Sequence, residues 1–176
     1  MVQFKSILLF SLIGAAVSAF PPSKLPGCGE LDIIFTGLPP YHPLVIQQGF
    51  NASAVDAGLR HDAADIVKAG YNLRGVVLMG PEQDINVLAK QTNGVRWDGT
   101  GIGYGVRGSH LEDLTVRFGD IVQLYRDKAP QAPILFDYSP VTALWAIQRR
   151  FPLSSNCTKS PGKDLGFEVF CDVCAS

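Results

Sequence analysis

Leu31-Asp32-Ile33-Ile34-Phe35-Thr36-Gly37 is a short apolar run that ends on a glycine, and a proline-rich loop and then a helical pattern follow it. Strand, loop and helix in that succession read as the first half of a crossover unit. Downstream the same alternation recurs, giving strands at Asp32–Thr36, Leu73–Met79, Gly99–Tyr104 and Pro133–Asp137. Four such units predict parallel strands joined by helices on both faces of the sheet. The expected fold is an α/β three-layer sandwich around a four-stranded parallel sheet of order 2-1-3-4.

The helices follow from periodicity. After the first strand, Val55, Leu59, Ala63 and Ile66 form an apolar face, with Arg60, Asp62 and Asp65 assigned to the polar side and Ser53-x-x-Asp56 to the amino cap. His61 lies on that polar side and receives no role. Gly80-Pro81-Glu82 opens the second helix, because proline is tolerated in a first turn. The third carries Leu111, Leu114, Phe118, Ile121, Val122 and Tyr125, and Ser139-Pro140 begins a fourth with Leu144, Ile147 and Phe151 facing inward.

Ahead of this domain stand Lys5, an apolar run from Ile7 to Val17, and Val17-Ser18-Ala19 before Phe20. That is the layout of a secretory signal, with cleavage expected after Ala19. The run is shorter than a bilayer span and meets Pro21 and Pro22 at once. The chain divides into a signal at 1–19, an α/β domain at 20–152 and a cysteine-containing tail at 153–176. One domain is the natural count for 176 − 19 = 157 residues. The full chain's formal charge of −1 becomes −2 without Lys5, and no block of like charge occurs. Such a balance gives no footprint for nucleic acid or an anionic membrane.

Cys28, Cys157, Cys171 and Cys174 are an even set, suited to an oxidising compartment. Cys28 precedes the first strand, and the last helix returns the chain to the same end of the sheet before Cys157. That predicts a Cys28–Cys157 bridge, with Cys171 and Cys174 left to pair locally or stay free. The sequons at Asn51 and Asn156 are candidate glycan sites at the surface.

The stretches DIIFTGLPPYHP, VVLMGPE, WDGTGIGYGVRGS and APILFDYSP resemble a group of small secreted Rossmann-like or flavodoxin-like proteins of fungal genomes. The resemblance spans residues 32–152 and implies the fold and a fungal source, but no particular reaction.

Ligands of open α/β sheets bind beyond the carboxyl ends of the strands, where the strand order reverses. Here that place is bounded by residues 37–50 and 105–110, with 137–140 one strand away. Gly103-x-Gly105-x-x-Gly108 matches a dinucleotide fingerprint in letters. It stands on the third strand, however, and Asp137 follows Gly103 by 34 residues where about 20 is usual. No nicotinamide or flavin cofactor is therefore expected. The physical expectation is broader: Gly103, Gly105, Gly108 and Ser109 offer backbone N–H groups, and Arg107 a forked donor, to a small polar or anionic molecule. Against it stands a plain tight turn, with Gly105 at positive φ and Ser109 to Glu112 forming a capping box.

His42, His110, Asp137 and Tyr138 are the acid/base candidates around this cleft. Their structural alternatives are solvated loop histidines and a turn-capping aspartate. No G-x-S-x-G elbow, H-E-x-x-H helix or paired C-x-x-C metal pattern is present. The single Cys171-x-x-Cys174 lies in the tail, away from a strand-to-helix turn. Two functions stay open: a secreted domain that binds, or as a small tailoring enzyme transforms, a small polar or anionic metabolite, and a secreted non-enzymatic interaction protein. The loop at 37–50, with Pro39, Pro40, Tyr41, His42 and Pro43, is long enough to act as a lid.

Overall fold

A computed structural model describes residues 24–174. The signal segment expected at 1–19 lies outside the described residues. Among them run β1 (Asp32–Gly37), α1 (Pro43–Gln47), α2 (Ala52–Lys68), β2 (Asn72–Met79), α3 (Asn86–Thr92), β3 (Gly99–Ile102), α4 (Tyr104–Arg107), α5 (Glu112–Lys128), β4 (Ile134–Phe136), α6 (Ala143–Arg150) and β5 (Asp164–Phe170).

Every strand pair is parallel, and the described residues form a five-stranded sheet of order β4-β3-β1-β2-β5. The four expected strands sit side by side, but the expected four-stranded sheet is too narrow. Residues 153–176, read as a tail, contain β5, which pairs with β2 from Leu73↔Asp164 to Met79↔Phe170. Its sequence alternates Leu165, Phe167 and Val169 with Gly166, Glu168 and Phe170, a period-2 pattern. Tethers to α3 hold this edge: Arg74 Nη1 donates to Gln91 Oε1 at 2.7 Å, and Gln91 Nε2 donates to Glu168 Oε2 at 2.8 Å.

Successive residues of β1 feed opposite layers. Ile33 and Phe35 join Ile66, Leu73, Leu135, Ala146 and Ile147 beneath α2 and α6. Ile34 joins Met79, Leu88, Ile102, Leu114 and Ile121 beneath α3 and α5. This central strand is covered on both faces, which is why Ile33, Ile34 and Phe35 form a continuous hydrophobic run.

Several element ends differ from expectation. Tyr104 leaves the third strand and starts α4. The amino cap of α2 is Asn51, whose side chain accepts from Ala54 N, in place of Ser53-x-x-Asp56. The second helix begins at Asn86, after a turn over Gly80–Gln83. Ser109 and Glu112 form no capping box: Ser109 Oγ accepts from Leu111 N, and Leu111 is the cap of α5 without a side-chain bond.

At the amino-terminal end of the sheet the buried Asn72 donates to Gly29 O (2.9 Å) and Asp32 Oδ1 (2.8 Å) and accepts from Lys163 N (2.8 Å). The Cys28–Cys157 disulfide lies beside it, and Cys171–Cys174 closes a short loop after β5. Gly70, at φ 102°, turns there, and a Cβ would run into Cys157 and Leu153. No helix of the described residues is long and apolar enough to cross a membrane.

Candidate functional site

At the carboxyl ends of β1 and β3, Gly37 and Gly103 bring two backbones together; a Cβ on Gly103 would stand 3.4 Å from Thr36 O and 3.5 Å from Gly37 Cα. These glycines serve close approach. No glycine of the Gly103–Gly108 turn has positive φ, which corrects the expectation for Gly105. Gly103 instead caps α4, one short helical turn containing Gly105 and Arg107 and ending at Gly108.

Beside this junction lies a cavity of about 50 Å³. Its floor is Phe35, Thr36, Gly37 and Gly103, its wall the α2 stripe Leu59, Asp62, Ala63 and Ile66, and its rim Asp137, Pro140 and Ala143. Val45, Gln48 and Phe50 cover it from the loop after β1. That loop is pinned as a lid in three places. Gln48 Nε2 donates to Gly105 O at 3.2 Å, and Phe50 meets Tyr104 edge-on at 6.2 Å between ring centroids. His42 Nδ1 accepts from Leu44 N at 3.1 Å, capping α1, and its Nε2 then donates to Glu82 Oε2 at 2.9 Å.

Glu82 is pushed upward by partial burial, yet its hydrogen bonds, chiefly that from His42, hold it net below its ordinary carboxylate range. Buried and doubly bonded, His42 does not line the cavity. His110 is exposed and also outside it. Tyr138 is 57% exposed, packs edge-on against Trp145 at 4.9 Å, and does not line the cavity. Of the four acid/base candidates, Asp137 alone lines the cavity.

Asp137 is 3% exposed, and its Oδ1 is fully covered without a hydrogen-bond partner. Its carboxyl is raised from 3.8 to about 7, chiefly by burial, with the Arg107 charge and the nearby N–H groups of Tyr104 and Asp137 itself opposing the rise and Asp62 adding to it. Arg107 Nη2 donates to the Asp137 carbonyl at 2.7 Å, while its guanidinium lies over the Tyr104 ring at 5.4 Å. Arg107 is thus engaged with Asp137 and Tyr104, while its buried Nε has no hydrogen-bond partner. Removing it in Arg107→Ala should push the Asp137 carboxyl above 7. Titration of the Asp137 carboxyl carbon by NMR reads that rise, and a fall would show that the arginine does not stabilise the carboxylate.

The sequence reading missed Asp62. It was placed on the polar side of α2 but is buried, and its Oδ2 accepts from Ala143 N at 2.8 Å and its Oδ1 from Leu144 N at 3.5 Å. A side chain of α2 therefore serves the open N–H groups of α6, where Ser139-Pro140 was the expected cap. Burial raises Asp62 above its ordinary range, with those two amides pulling the other way. The signal was in the spacing: Leu59, Asp62, Ala63 and Ile66 stand at i, i+3, i+4 and i+7, one stripe of a helix.

Comparison with protein-family models, curated proteins and solved structures finds no match. The site must be read from its own chemistry. It offers one buried carboxyl, raised toward neutrality by burial and with its Oδ1 unpartnered, a second carboxylate engaged at a helix terminus, apolar walls and a latched cover. That combination can bind a small polar group and exchange a proton with it.

Proposed function

We propose that this chain is a secreted α/β domain that binds a small polar molecule in the cleft beneath the loop at 38–50, with Asp137 as its acid/base group. The carrying observation is the buried Asp137, its Oδ1 without a partner, among the residues that line a largely apolar cavity at the reversal of strand order. The order β4-β3-β1-β2 supports a flavodoxin-like or Rossmann-like reading, in keeping with the resemblance to small secreted fungal proteins. Of the polar and anionic ligands considered from sequence, the two carboxylates favour a neutral or positively charged group, since an anion would meet like charge.

A fragment screen by amide NMR tests the reading. Compounds that shift Gly103, Gly105 and Gln48 together, and bind at least tenfold more weakly to Asp137→Asn, support it. A screen in which no compound moves these amides contradicts it.

The two disulfides support secretion. Amino-terminal sequencing of exported protein is expected to begin at Phe20, and a chain retained in the cytosol with Met1 intact would contradict that. Asn51 and Asn156 are both exposed, which supports glycan attachment in a eukaryotic secretory route.

A second reading, a secreted interaction protein, rests on a different observation. Phe136, Tyr138, Val141 and Trp145 are exposed within one stretch of chain, and Arg149 lies over the Trp145 ring. Aromatic side chains with an adjacent arginine are enriched at binding surfaces.

A further inference from the structure

We infer that the cavity takes the protonated amino group of a small, otherwise apolar molecule, with the Asp137 carboxylate as its counter-ion. The inference rests on reading this cleft as a small-molecule site and names the class of molecule.

The polar atoms of the lining select for it. Thr36 Oγ1 donates to the Val77 carbonyl, the Gln48 amide is engaged with Leu44 O and Gly105 O, and both Asp62 oxygens accept from α6. Asp137 Oδ1 is the one fully covered side-chain polar atom of the described lining residues without a partner. A single buried carboxyl without a side-chain partner suits one donor group. A polyol would bring several hydroxyls to walls of Phe35, Leu38, Val45, Leu59, Ile66 and Ala143, where they would go unpaired. An anion would be placed against Asp62 and Asp137 together, and Arg107 already donates to the Asp137 carbonyl. An ammonium seated against the Asp137 carboxyl places opposite charge beside both carboxylates. The space of about 50 Å³ limits the buried part to a few heavy atoms.

Binding has a defined proton balance. Near pH 6 the free Asp137 is largely the neutral acid, because burial raises it to about 7. As R–NH3⁺ enters, the carboxyl loses its proton to solvent and an N–H···O bond forms to the resulting carboxylate; no covalent heavy-atom bond changes. The charged groups facing Asp137 are Arg107 of α4, which favours its ionised form, and Asp62 of α2, which opposes it.

The experiment is an amide-NMR titration of the intact protein with n-propylamine, and with n-propanol as the uncharged isostere, between pH 5 and 8. The amine is expected to bind in the millimolar range and the alcohol at least tenfold more weakly at pH 7.5. Amine affinity should rise by roughly tenfold per pH unit well below 7 and level off above it, with no such rise for the alcohol. Asp137→Asn should lose both the amine preference and the pH dependence. Equal binding of amine and alcohol, or amine binding independent of pH, overturns the amine assignment while leaving the cleft a small-molecule site. If neither probe binds while other fragments of the screen do, the amine assignment again falls. If nothing binds, both readings fall.

Discussion

Replacing Asp137 with asparagine is expected to raise the stability of the protein at pH 8 and to change it little at pH 4. Burial lifts this carboxyl from 3.8 to about 7, so between those values the folded protein holds a proton that the unfolded chain has released. Stability then falls as pH rises through that window. The contribution is fully present below about pH 4 and lost above about pH 7. A displacement from 3.8 to about 7 corresponds to roughly 4 kcal/mol at 1.36 kcal/mol per unit. For a domain of this size that is on the order of 10 °C in Tm. Asparagine keeps the shape without the ionisation, so melting curves from pH 4 to 8 should be flatter for Asp137→Asn. Some slope should remain, because Asp62 is raised in the same direction. If the variant is less stable than the parent at pH 8, the Asp137 carboxylate is a structural partner and not an isolated buried acid.

The second large effect concerns the bridge between residues far apart in the chain. Cys28 and Cys157 are separated by 129 positions, and a loop of that length corresponds to about 5 kcal/mol on the chain-entropy model. Cys171 and Cys174 are three apart and close a minimal loop, about 2 kcal/mol on the same model. Paired substitution of Cys28 and Cys157 by serine should therefore cost much more stability than the same change at Cys171 and Cys174. Urea unfolding of the two double variants makes the comparison. Equal losses would show that the long bridge adds little beyond the hydrogen bonds of Asn72 and Pro26 at the same end of the sheet.

Where local pattern and burial agree, the sequence can be read. β1 is covered on both faces, so each of Ile33, Ile34 and Phe35 had to be apolar, and its strand character shows in the letters. The Cys28–Cys157 pairing followed from parallel strands alone, because they fix which end of the sheet each cysteine occupies. β5 was obscured because it follows an irregular passage at 151–163 in place of a helix and pairs with a strand about ninety positions earlier. Its alternation was visible, but its partner was not.

The site was legible in position more than in chemistry. The reversal of strand order brought Gly37, Gly103, Gly105 and Asp137 to one place, as the topology requires. What each polar group does there depended on tertiary partners. By sequence Asp62 reads as solvated, but its oxygens accept from the start of α6, and His42 reads as a free loop side chain, but Glu82 and the Leu44 amide occupy both its ring nitrogens. The glycine-rich turn matches a dinucleotide fingerprint by spacing. In the fold it makes a single helical turn whose arginine is held by Asp137 and Tyr104.

The most direct test of the account is the pKa of the Asp137 carboxyl in the ligand-free protein, read from its carbon-13 shift between pH 3 and 9. A midpoint near 7 agrees with a buried acid whose burial outweighs the Arg107 charge beside it. A midpoint near 4 would mean that water or an unrecognised donor already satisfies Oδ1, and the cleft would lose the group on which its function is argued.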